Sequence, residues 1–294
     1  MKILFLADLH WAASGMPDHS KQIQPLIEHE HVDAIVICGD ICHPENADVV
    51  LSWIRKIVGD VPVAICLGNH DFWVGQKSSW KYDFDGVIEE FWQPACAAFG
   101  IGLLDRDNLV LDGITVVGGY GHYDFGHAVP NLRIEGWLVN EQDYQGGCIS
   151  GLTGRWNDMV YMASRRSTKK EAKLQTKRII ERLDVAIRGG GRIVMAVHTP
   201  PFAELSTHAP SFFSAYNGNA DLGGKLADRA AEIELLVCGH THRIVEPALF
   251  GGIHCLNVGN DYGELYGVLY DAKSRIIEWV DLVRGKKGPE SFRL

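Results

Sequence analysis

Six short apolar runs rich in Ile, Val and Leu punctuate the chain: KILFLA near its start, then AIVIC, VAICL, ITVVGG, RIVMAV and ELLVC. Their length and β-branching mark them as buried strands. Between the early runs, residues 46–58 and 84–99 carry helical spacing, with Asn46 placed as the N-cap of the first. A third helix is written into TKKEAKLQTKRIIERLDVAI. Thr168 and Glu171 have the spacing of a capping box there, Leu174, Ile180, Leu183 and Ile187 share one face, and three glycines at 189–191 end it. Strand and helix in alternation predict an α/β architecture. After residue 243 the runs IVEPALF, IHCLNV, ELYGVLYD and RIIEWVDLV follow closely on one another, predicting an antiparallel meander.

At 294 residues, with no repeat and no linker-like shift in composition, the chain is expected to form one domain over 1–284. Residues 120–167 hold no regular period, which predicts an irregular insertion near a functional site. The tail 285–294, GKKGPESFRL, is expected to be mobile. Lys and Arg number 28 against 37 Asp and Glu, a formal charge of -9, so an extended nucleic-acid-binding surface is not expected. The seven cysteines include no C-x-x-C pair and several sit inside apolar runs, as in a reduced, cytoplasmic protein. MKILFLA is too short an apolar stretch for a signal peptide, and no run approaches the roughly 20 apolar residues of a membrane span. No membrane association is therefore expected, and the oligomeric state is left open.

What ends each run is more informative. KILFLA leads to Asp8 and His10, AIVICG to Asp40, VAICLG to Asn69, His70 and Asp71, RIVMAV to His198, and ELLVCG to His240 and His242. Ligands of open α/β sheets bind beyond the carboxyl ends of the strands. Any one such residue reads as a turn or cap residue, but five strand ends in succession point metal-competent groups at one place.

The ordered series DLH, GD, GNHD, VHTPP and GHTH resembles the calcineurin-like metallophosphoesterase superfamily, over residues 2 to about 260. The resemblance implies a four-layer α/β/β/α sandwich of two mixed β-sheets flanked by helices. It also implies two metal ions sharing a bridging carboxylate, Asp40. One ion would also be held by Asp8, His10 and His242, and the other by Asn69, His198 and His240. Imidazole and oxygen donors without thiolate suit divalent or trivalent Mn, Fe, Zn, Co or Ni, as a pair about 3.5 to 4 Å apart. By the same resemblance His70 contacts the phosphoryl or leaving oxygen, and Asp71 accepts a hydrogen bond from its other ring nitrogen.

The implied function is dinuclear-metal-dependent hydrolysis of a phosphate ester, with a small phosphodiester, nucleotide or phosphomonoester as substrate. Protein phosphatases of the superfamily carry V-D-R after G-D, where this chain reads GDICHP and lacks that Arg, so a protein substrate is disfavoured. A nuclease of the same superfamily and a non-catalytic metal-binding interaction scaffold are the alternatives; the acidic balance counts against the first and the complete ligand series against the second. His122 and Tyr123, just past ITVVGG, are the candidate substrate contacts. Trp11, Trp156, Arg165, Arg166 and His208 are read first as packing or surface residues. HC at 254–255 and GNADLGGKL at 218–226 imitate a Cys-phosphatase loop and a P-loop but lack the Arg and the Ser or Thr that those motifs need.

Overall fold

The computed structural model describes residues 1–11, 20–261, 265–284 and 286–294. Its strands are β1 (Lys2–Leu6), β2 (Ala34–Cys38), β3 (Val63–Cys66), β4 (Gly102–Leu103), β5 (Leu109–Leu111), β6 (Ile114–Gly119), β7 (Arg133–Ile134), β8 (Trp137–Leu138), β9 (Arg192–Val197), β10 (Ile233–Cys238), β11 (Val245–Phe250), β12 (Ile253–Asn257), β13 (Tyr266–Asp271), β14 (Ile276–Asp281) and β15 (Lys286–Arg293). All six apolar runs are strands. They fall into two mixed sheets, one ordered β15-β14-β13-β1-β2-β3-β4 and the other β11-β12-β10-β9-β6-β5, with β7 and β8 forming a small separate hairpin.

Period-two alternation explains how the layers stack. Ile3, Phe5, Val36, Ala64 and Cys66 of the first sheet face Val116, Val194, Ala196, Leu235 and Val237 of the second in one buried cluster. The intervening residues Leu4, Leu6, Ile35, Ile37 and Ile65 face outward onto Ile23, Ile27, Leu51 and Ile54 of the helices Ser20–Glu30 and Ala47–Val58. On the far side Val117, Met195 and Val197 meet Ile179, Ile180 and Leu183 of the helix Thr168–Gly189. Helices therefore cover both outer faces. None of the described helices is long and apolar enough to cross a membrane.

Four local expectations need correction. The stretch after residue 243 is not one meander: β11 and β12 close the second sheet, with β12 parallel to β10, while β13, β14 and β15 extend the first. The tail expected to be mobile is instead strand β15 from Lys286 to Arg293, paired antiparallel with β14, residue 285 lying outside the described residues. A chain terminus is ordered when it is tied into a sheet as this one is. Asn46 makes no side-chain cap bond, because a 3-10 turn, Pro44–Asn46, runs directly into the helix. The capping box at Thr168 does not form either; Glu171 accepts from Phe84 N at 3.3 Å and Arg166 Nη1 at 2.9 Å.

Candidate metal centre

The carboxyl ends of β1, β2 and β3 in the first sheet meet those of β9 and β10 in the second, and the loops there are cross-tied. Asp8 N donates to Gly39 O at 3.0 Å, His10 N to Asp40 O at 2.8 Å, and Gly239 N to His198 O at 3.0 Å. Asp8, His10, Asp40, His240 and His242 all have left-handed backbones, with φ between 45° and 74°. Such conformations cost non-glycine residues roughly 1–3 kcal/mol each and cluster where side chains must be aimed. Two glycines of the motifs serve close approach instead: a Cβ on Gly68 would collide with Asp40 Oδ1, and one on Gly239 would lie 2.6 Å from Asp8 Oδ2.

Asp8, His10, Asp40 and His242 each present a donor atom within 4.8 Å of the others. His10 Nε2 lies 3.2 Å from His242 Nε2 and 3.7 Å from Asp40 Oδ2. Asp8 Oδ1 accepts from His240 N at 2.8 Å, whereas Asp8 Oδ2 is buried without a hydrogen-bond partner among the described residues. On the other side of Asp40, His198 Nε2 lies 3.4 Å from Oδ1 of that carboxylate. Asn69 Oδ1 sits 3.1 Å from His198 Nε2 and 3.0 Å from His240 Nδ1.

The tautomers on this second side follow from the partners. His198 Nδ1 donates to Cys38 O at 2.9 Å and His240 Nε2 to Tyr216 O at 2.8 Å, since a carbonyl only accepts. Burial, then the neighbouring His240, pushes His198 well below its ordinary pKa, and burial lowers His240 to about 4, so both rings are neutral. Their remaining nitrogens therefore carry lone pairs. Two lone pairs and an amide oxygen converge with no hydrogen between them, an arrangement that a cation relieves. Burial pushes Asp8 up to about 6 and, with Asp71 and Asp8 nearby, raises Asp40 well above the carboxylate range. Burial is the leading cause for both carboxylates, and imidazole and carboxylate donors gathered in this way fit metal ions.

His70 caps this floor. Its ring stacks on Trp73 at 3.9 Å between centroids, and Nε2 stands 3.9 Å from Asp40 Oδ2. Burial, then His10 and His43, lowers its pKa to about 2. Asp71 does not reach the His70 ring as expected. Its Oδ1 accepts from Ile41 N and Cys42 N at 2.8 and 3.0 Å and its Oδ2 from Gly68 N at 2.7 Å, so three backbone donors consume the carboxylate and tie the β2 and β3 loops together.

A cavity of about 780 Å³ opens above these groups, walled in part by Trp73, Arg155, Trp156, Phe213 and Arg243. His122 and Tyr123, the candidate substrate contacts, do not line it. Both are fully buried behind it, His122 Nδ1 against Tyr120 Oη at 2.9 Å and Tyr123 Oη donating to Asp158 Oδ2 at 3.1 Å. Trp156 and His208, read as packing residues, do face the cavity. Arg166 is held away by Asp83, Asp85 and Glu171. Sequence reasoning passed over Asp158, Arg155 and Arg243, which no motif marks.

Metal-competent side chains thus gather at the carboxyl ends of two stacked mixed sheets. The calcineurin-like phosphoesterase family matches residues 1–243, and the chain belongs to that family. No curated protein matches it. Among solved structures, a dimetal phosphatase from Danio rerio is similar at a TM-score of 0.57 and 12% identity, over 99% of this chain and 98% of that one. A purple acid phosphatase from yellow lupin is similar at 0.55 and 12% identity, over 99% of this chain and 53% of its own length. GAP50, described as the anchor in the inner membrane complex of Plasmodium, is similar at 0.53 and 12% identity, over 100% of this chain and 88% of that one. Such identities show the fold alone.

Proposed function

We propose that this protein hydrolyses a small phosphate ester, a phosphodiester, nucleotide or phosphomonoester, using two metal ions that share Asp40. Asp8, His10 and His242 hold one ion, and Asn69, His198 and His240 the other. The observation that carries this reading is the pair of donor clusters flanking one buried carboxylate at the floor of the cavity. When bound, such a pair of cations activates water for attack on phosphorus and offsets charge on the phosphoryl oxygens. The Danio rerio neighbour is a dimetal phosphatase, which agrees with that reading.

The chain's own residues orient the substrate. The phosphoryl group sits over Asp40, where His70 Nε2 hydrogen-bonds a phosphoryl or leaving oxygen while Trp73 holds the ring in place. The organic portion lies along Trp73, Trp156 and Phe213, and Arg155 and Arg243 meet further anionic groups. Among the described residues these are the two Lys or Arg side chains that line the cavity, too few to track an extended nucleic-acid backbone.

The test is protein reconstituted with Mn and assayed on phosphomonoesters, phosphodiesters, nucleotides, single-stranded DNA and a phosphoprotein. Turnover is expected on small esters, and His70→Ala should keep its metal while losing about 100 to 10,000-fold in rate, more on alkyl than on nitrophenyl esters. Wild-type protein that retains less than about one ion per chain after desalting, or that turns over a phosphoprotein faster than every small ester, sinks the reading.

A further inference from the structure

Asp158 is 2% exposed and opens a single helical turn, Asp158–Tyr161, within the irregular segment 120–167. Its carboxylate collects four side-chain donors. Oδ1 accepts from Asn69 Nδ2 at 3.0 Å and Trp73 Nε1 at 2.7 Å, and Oδ2 accepts from Tyr123 Oη at 3.1 Å and Trp156 Nε1 at 2.9 Å. An ionised carboxyl offers about four lone-pair sites, so its acceptor capacity is filled. One of these bonds decides the chemistry next door. With Nδ2 committed to Asp158, the Asn69 amide must turn Oδ1 toward His198 and His240. A flipped amide would set its oxygen against the carboxylate instead.

We infer that Asp158 is a positioning residue that makes cation binding on the Asn69 side depend on the segment 155–163 being docked. That segment carries the cavity wall Arg155 and Trp156, and it is fixed to the β3 loop by Ala163 N donating to Phe72 O at 2.9 Å and by an antiparallel bridge between Trp73 and Met162. Through Asp158, the wall that receives the organic part of a substrate and the amide that faces the metal become one hydrogen-bonded unit. Coupling of this kind is reciprocal: what the segment does for the cation, the cation does for the segment.

The inference rests on the two-ion reading, and the experiment separates the two. Mn is titrated into metal-free wild type and Asp158→Asn by calorimetry. In the variant an NH2 group replaces one acceptor pair, so one of the two ions should bind about 10 to 100-fold more weakly, as for other partners of metal ligands, while the other keeps its affinity. Amide hydrogen exchange of wild-type protein gives a readout that needs no variant: residues 155–163 should gain protection as the second equivalent of Mn binds. A wild type that takes up fewer than two ions refutes the two-ion reading. Two ions in wild type with unchanged affinities in Asp158→Asn, or exchange in 155–163 indifferent to the second ion, overturns the role of Asp158 alone. Equal weakening of both ions also counts against it, because general loosening of the fold would do that.

Discussion

The donor clusters on the two sides of Asp40 are built from similar residues but are supported differently. On the Asn69 side, each ligand-type residue spends its second polar atom on a buried partner: His198 on Cys38 O, His240 on Tyr216 O, Asn69 on Asp158. On the Asp8 side, His242 has a side chain 20% exposed and leans at 3.5 Å on Asp261, itself 54% exposed. A hydrogen bond to a buried carbonyl holds a ring firmly, because losing it strands the carbonyl; a contact with a solvated carboxylate competes with water. The contrast teaches that one side is preorganised throughout by the interior, while the other, buried at Asp8 and His10, is partly open to solvent at His242.

The largest effect should come from removing what the two sides share. Asp40→Asn deletes a carboxylate that lies near both His10 and His198, at 3.7 and 3.4 Å, and that the proposed ions share. Mn affinity should fall on both sides together, by more than the roughly 100-fold that marks the upper range for outer partners. Retention of one tightly held ion would show that the sides are independent.

A smaller effect separates the sides in the metal-free protein. His198 is fully buried, and replacing it by Ala leaves Cys38 O without its donor, at a cost of about 1–3 kcal/mol beyond the cavity itself. His242→Ala opens a space that water fills. His198→Ala should therefore lower Tm more than His242→Ala does, at about 2–4 °C per kcal/mol for a chain of this order of size. Equal Tm values by calorimetry would remove the claim that burial preorganises the Asn69 side.

How far this asymmetry was legible in the sequence depends on where its parts lie. The ligand-type residues were legible because each follows an apolar run by one to four positions, so local pattern alone delivers them to the strand ends. Asp158 was not: its donors come from positions 69, 73, 123 and 156, brought together only by the fold. Position after a strand also failed to say which way a side chain turns. His122 and Tyr123 follow β6 as His198 follows β9, yet they turn into the interior. The resemblance implied a bond from His70 to Asp71, but three backbone N–H groups take up that carboxylate instead. For β15, the terminal position suggested mobility, whereas pairing with β14 ties the segment to the sheet edge.

The smallest expected effect tests the open side. Asp261→Asn removes the charge facing His242 Nδ1 but leaves an oxygen that still accepts from the ring. Because Asp261 is mostly solvated, the charge it lends is screened, and contacts of this type are worth about 0–1 kcal/mol. Mn affinity on the Asp8 side should accordingly drop by no more than about fivefold at low ionic strength. Raising the salt to about 0.5 M should erase most of the difference, since the Debye length then falls below about 8 Å. The measurement is the same Mn titration at both ionic strengths. A salt-insensitive loss approaching 100-fold would mean that Asp261 orients His242 as firmly as Asp158 orients Asn69, and the two sides would then be equally well supported.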